Sequence, residues 1–72
     1  MTRVPELSHR RIIRALERAG FQVVRQGKRI AMYSEERNVV AIIPRHNPVK
    51  RSTRARLLKQ IEMTPEEFQR FL

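Results

Sequence analysis

Seventy-two residues amount to one domain, over residues 1–72, near the lower size at which a chain buries enough apolar surface to fold alone. Lys and Arg number 16 against 7 carboxylates, and 13 of the 16 are Arg, for a formal charge of +9; this balance selects polyanionic partners, either nucleic acid or an acidic protein that mimics it. Without cysteine there is neither a disulfide framework nor a thiolate metal site, and two histidines lacking clustered carboxylates argue against zinc. The apolar runs fall far short of the ~20 residues of a bilayer span. The opening Met-Thr-Arg-Val-Pro-Glu has no signal-peptide pattern. A cytoplasmic protein without metal, small-molecule cofactor or membrane partner is the expectation.

Ser8 is a good helix N-cap, with Leu7 before it and Ile12 placed to close a hydrophobic staple. Ile12, Ile13, Leu16 and Ala19 form one apolar stripe, while Arg10, Arg11, Arg14, Glu17 and Arg18 point elsewhere. Gly20 supplies a left-handed stop. His9, in the first turn, reads as an exposed, uncommitted histidine, because a protonated imidazole there would oppose the helix dipole.

Three short runs rich in Val, Ile, Phe and Tyr follow between Gly20 and His46, separated by gaps that contain Gly27 and Asn38. That spacing predicts a three-stranded antiparallel meander. In the first strand, strict alternation places Phe21, Val23 and Arg25 on one face, with Phe21 and Val23 as the core pair. The second strand, Arg29 to Ser34, turns Ile30 and Met32 inward. Val39 to Ile43 is almost wholly apolar, so this strand is either covered on both faces or partly open to a partner. Pro44 closes it.

The densest basic stretch comes next: Arg45, His46, Lys50, Arg51, Arg54 and Arg56, with Lys59 a turn further on. Pro48 forbids helix just before it, Ser52 or Thr53 can cap a second helix, and Leu57, Leu58 and Ile61 make its buried stripe. Lys50 and Arg51 then flank free backbone N–H groups at a helix start, a favourable place for phosphate. In Met-Thr-Pro-Glu-Glu-Phe, Thr64 is the cap, Pro65 the first helical residue, Glu67 the capping-box partner, and Met63 with Phe68 the staple. A short final helix folding back on the core is expected. The whole reads as an α+β fold of order α-β-β-β-α: a three-stranded antiparallel sheet with helices packed on one face and a short extra C-terminal helix. No phosphate-cradling glycine loop, nucleophile triad or carboxylate pair can be assembled.

The residues resemble the HicA (YcfA-like) toxins of toxin-antitoxin pairs. The matching pieces are Leu-Ser followed by Ile-Ile-Arg-Ala-Leu-Glu-Arg-Ala-Gly-Phe, Val-Val-Arg-Gln-Gly at 23–27, Pro-Arg-His at 44–46, Arg-Leu-Leu-Lys-Gln at 56–60, and Thr-Pro-Glu-Glu-Phe at 64–68. The resemblance implies a double-stranded RNA-binding-domain-like fold, an mRNA-cleaving endonuclease (interferase) activity, and neutralisation by a HicB-like antitoxin. It also implies a catalytic histidine, in a Gly-Ser-His motif at the start of the second strand. This chain reads Gly27-Lys28-Arg29-Ile30 there, so Arg29 or Ile30 occupies the histidine position.

Metal-independent RNA cleavage needs one group to take the 2′-hydroxyl proton and another to protonate the leaving oxygen. Histidine does both near neutral pH, whereas Arg, with a pKa above ~12, can stabilise charge but cannot act as base. His46 is the one candidate substitute. The residues expected to meet nucleic acid are Arg25, Lys28, Arg29, Arg45, His46, Lys50, Arg51 and Arg54. Three readings stay open: a HicA-like toxin, active or attenuated, that binds RNA and a HicB-like protein; a non-catalytic RNA- or DNA-binding module; and a protein-interaction domain whose basic face meets an acidic antitoxin.

Overall fold

Residues 7–72 are described in the computed structural model; the opening hexapeptide, on which the signal-peptide reading rests, lies outside them. Helix α1 (His9–Arg18) starts as its cap residue requires, the Ser8 hydroxyl accepting from the Arg11 N–H at 3.3 Å. Leu7 and Ile12 are both buried, so the staple closes. Ile12, Ala15 and Leu16 bury the inner face, with Ile13 and Ala19 packed partly against it. At the other end Gly20 adopts φ 99°. There the Phe21 N–H reaches back to the Leu16 carbonyl at 2.9 Å, and the Gly20 N–H to Glu17 at 3.1 Å. This left-handed stop delivers the Phe21 ring into the core beside Leu16.

Strands β1 (Gln22–Gln26), β2 (Arg29–Ser34) and β3 (Val39–Pro44) form the meander in that spatial order, antiparallel throughout. Ile30 opposes Ile43 and Met32 opposes Ala41, all four buried on the face that receives the helices. The expected alternation in β1 breaks at Val24. Val23 pairs with Met32, but Arg25 pairs with Ala31, leaving Val24 as the extra residue of a β-bulge. Arg25 therefore turns to the outer face and does not share the inner face with Phe21 and Val23. The choice left open for β3 is resolved: Ala41 and Ile43 are buried, while Val40 on the outer face is 43% exposed. Ser34 is fully buried, and its hydroxyl accepts from the Arg37 N–H at 3.1 Å across a turn that Asn38 closes at φ 54°.

Helix α2 (Arg51–Gln60) departs from the expected cap. Lys50 is the N-cap residue and lends no side-chain hydrogen bond; Ser52 and Thr53 lie already within the first turn. The cause is tertiary. A bridge in which the Val49 N–H donates to the Leu7 carbonyl at 2.7 Å pins the incoming strand and sets where the helix begins. Leu57, Leu58 and Ile61 are buried as expected. This helix also ends in a left-handed stop, with the Met63 N–H on the Leu58 carbonyl at 2.9 Å, but the residue in the left-handed position is Glu62, at φ 57°. An L-residue with a Cβ is strained there by roughly 1 kcal/mol. Glu62→Gly is accordingly expected to stabilise the fold by about 0.5–1 kcal/mol, a rise in melting temperature of roughly 2–8 °C for a domain this small. A fall in melting temperature would count against strain at this stop.

The short α3 (Pro65–Gln69) begins on Thr64, whose hydroxyl accepts from the Glu67 N–H at 3.0 Å, with Pro65 first in the helix. Met63 and Phe68 are buried together in the core. The Glu67 carboxylate does not close a capping box. It accepts instead from Arg37 Nη2 at 2.7 Å, tying α3 to the β2–β3 turn. That hydrogen bond holds the Glu67 carboxyl below its ordinary pKa. A depressed carboxyl pKa stabilises the fold at pH above the ordinary value and ceases to do so as pH falls through the folded value. Wild type and Arg37→Met should thus differ most in melting temperature above pH 4.5 and converge on acidification below it. The difference should be small, because both side chains are about a third exposed. A gap that persists at low pH would remove Glu67 as its source.

Candidate nucleic-acid interface

The register of β2 on β3 sets Arg29 opposite Pro44. The β1–β2 turn and the loop leaving β3 therefore emerge at the same end of the sheet. Arg45 locks them together, its Nε donating to the Gly27 carbonyl at 2.7 Å. Lys28 and Arg29 stand exposed beside this strut, and Arg25, turned outward by the bulge, lies on the neighbouring strand. On the other flank Arg29, Ile42 and Pro44 share a groove of about 250 Å³ with Thr53, Arg56 and Leu57 of α2. Arg56 thereby joins the sheet-end cluster although it is absent from the expected contacts. The helical phase offered a signal, since Arg56 directly precedes the buried Leu57.

His46 is exposed next to Arg45 and makes no side-chain hydrogen bond to the described residues. The adjacent Asn47 does. Its Oδ1 receives the backbone N–H of His9 at 3.2 Å and lies 3.0 Å from the His9 Nδ1. A backbone N–H can only donate, so the shared atom must be the amide oxygen, and Nδ1 must carry a proton. This leaves Nε2 as the imidazole's second nitrogen. His9 is therefore half-buried and committed as a strut between α1 and the loop, contrary to the exposed, uncommitted reading.

The remaining expected contacts lie elsewhere. Lys50 is exposed at the start of α2. Arg51 and Arg54 line a separate groove of about 250 Å³ between α2 and α3, with Leu58, Pro65 and Phe68. Arg54 is half-buried there, one guanidinium nitrogen shut off from water without a partner among the described residues. The basic residues nearest in sequence are thus divided by α2, while Lys28 and Arg45, far apart in the chain, come together. Arg37–Glu67 is the one ion pair among the described residues, so no carboxylate neutralises the sheet-end cations. Such an array can hold a phosphate backbone and stabilise negative charge, but its guanidinium groups cannot remove a proton.

Fold and site together define a small, strongly basic α+β domain whose sheet ends in an unneutralised cationic cluster. Residues 9–63 match the family model described as "HicA toxin of bacterial toxin-antitoxin". The chain belongs to the HicA toxin family, as its motifs implied. The match ends before Thr64, so the Thr-Pro-Glu-Glu-Phe segment lies beyond it. No curated protein and no solved structure matches the chain. Among the described residues no helix is long and apolar enough to cross a membrane.

Proposed function

We propose that this chain is the RNA-binding toxin component of a cytoplasmic toxin-antitoxin pair, with a HicB-like protein as its neutralising partner. Its RNA contacts are Arg25, Lys28, Arg29, Arg45 and His46, with Arg56 added. The observation that carries the reading is the Arg45–Gly27 strut, which gathers cations from two distant segments into one unpaired cluster. Cations left without carboxylates repel one another in the folded state and gain most from a polyanion.

Messenger cleavage by the family's route is lost or greatly weakened, because Lys28-Arg29-Ile30 stands where the family places its catalytic histidine. Any residual cleavage falls to His46, exposed at the cluster's edge. Purified protein incubated with mixed-sequence RNA in EDTA should bind it and leave it essentially uncut. Brisk cleavage abolished by His46→Ala would instead make the protein a working ribonuclease with a relocated histidine. Failure to bind RNA at low salt would favour a protein-interaction domain that meets an acidic antitoxin.

A further inference from the structure

The proposed RNA contacts leave Arg51 and Arg54 without a task, and α2 alone gives no reason for either. Arg51 is the first residue of the helix, whose first turn holds no carboxylate, so its charge opposes the positive end of the dipole. Arg54, about one turn on, is half-buried, and its Nη1 is shut off from water with no hydrogen-bond partner among the described residues. An unpaired donor held away from water costs folding stability until something satisfies it.

The surroundings of that nitrogen define what can satisfy it. Arg51 and Arg54 line the groove of about 250 Å³ between α2 and α3 together with Pro65 and the buried Leu58 and Phe68. Leu72, also in the lining, is left 38% exposed, an apolar side chain standing at the surface beside two cations. No carboxylate side chain belongs to the lining. Glu67 of α3 is engaged by Arg37 and lies outside it.

Charge and apolar surface together select the occupant. A phosphate backbone would use the two cations and leave Leu58, Phe68 and Leu72 as wet as before. A second copy of the chain, at a charge of +9, brings repulsion to any face with unneutralised arginines. A peptide segment that sets a carboxylate beside a bulky apolar side chain uses every part of the groove. Its carboxylate accepts two parallel N–H bonds from a planar guanidinium, and its side chain covers the apolar lining. The groove's volume admits such a short anchor and not a whole helix.

We propose that the groove between α2 and α3 is the docking site for a short acidic and apolar segment of the protein partner, with Arg54 as the half-buried fork for its carboxylate and Arg51 as the outer cation. The inference rests on the reading of a protein partner above and adds to it the surface that the partner uses. Helix α2 separates this groove from the one that Arg29 and Arg56 line at the sheet end. One chain can therefore hold the partner's segment and RNA at the same time.

The probe is a synthetic peptide, Gly-Asp-Leu-Phe-Asp-Gly-Ser, titrated into the isotope-labelled full chain and followed by two-dimensional NMR, with the same peptide carrying Asn for Asp as control. Amide signals of α2 and α3 should shift, and the Asn peptide should bind about tenfold more weakly or worse. An RNA hairpin added to the peptide complex should still shift the sheet end. Arg54→Met separates binding from folding, because it removes the unpaired donor and keeps an apolar stem. Its melting temperature should hold or rise while its affinity for the peptide falls about tenfold or more. Arg54→Lys should not restore binding, since an ammonium lacks the fork. Shifts at Lys28, Arg29 and Arg45 in place of the groove overturn the inference, as does undiminished affinity in Arg54→Met or for the Asn peptide. A lower melting temperature in Arg54→Met overturns it too, by showing that the guanidinium is already satisfied within the chain. Dimerisation of the protein alone, lost in Arg54→Met, gives the groove to a second copy. Absence of any shift at millimolar peptide overturns the groove while leaving the partner reading to another face. Groove binding by a chain that takes up no RNA upholds the inference and removes the RNA reading alone.

Discussion

Replacing Lys28, Arg29 and Arg45 together by Gln is expected to weaken RNA binding on the order of a hundredfold at low salt. Each phosphate contact contributes about 0.7–0.9 to the log affinity–log salt slope, so three lost contacts should flatten it by about 2–3. The effect should be nearly independent of RNA sequence, because cations on a backbone position the ligand without reading its bases. Arg45 carries a further consequence. Its Nε holds the Gly27 carbonyl, so Arg45→Gln alone also releases the β1–β2 turn from the loop and disperses Lys28 and Arg29. Arg45→Lys should restore charge but not the strut, since an ammonium on a flexible stem lacks the guanidinium's fixed geometry. Filter binding or fluorescence anisotropy across a salt series measures all of these. An unchanged slope in the triple variant would move the RNA site away from the sheet end.

Phe21→Ala is the substitution expected to cost most stability. Phe21 is among the largest fully buried side chains, and it enters the core at the left-handed stop of α1. Removing a buried Phe ring costs about 3–5 kcal/mol, transfer and cavity terms together. A domain of this length has roughly 4–11 kcal/mol in all, at 0.05–0.15 kcal/mol per residue. The variant should therefore melt on the order of 20 °C lower, or be partly unfolded at room temperature. Urea titration followed by circular dichroism would show it as a lower midpoint. A shift of only a few degrees would mean that the core closes over the missing ring.

The two expectations differ in how far they could be read in advance. Phe21 follows a helix stop and opens a β-prone run, so its burial was legible. So were the β2 boundaries and the pairing of Met63 with Phe68, because each rests on periodicity or on caps a few residues apart. The bulge at Val24 was not legible. Nothing in Gln-Val-Val-Arg-Gln marks the extra residue, and register is decided by what lies across the sheet. Glu67 satisfied the local capping rule yet took Arg37, thirty positions away, because the charged pair outcompetes a return bond to the cap. The reading of His9 failed for the same reason: its partner is Asn47, 38 residues on.

By itself the chain of residues determined an α+β domain of one helix, three strands and two further helices, its strong positive charge, and the HicA kinship that residues 9–63 carry. Periodicity, caps and net charge are local or additive properties, and they survive without knowledge of the fold. Which cations stand together was decided only in three dimensions. The turn of β1 to β2 meets Arg45 because antiparallel pairing folds the ends of the strands onto one side, whereas Arg51 and Arg54 face away because α2 turns them toward α3. Distance along the chain says little about distance between charges, and a phosphate backbone responds to the latter alone.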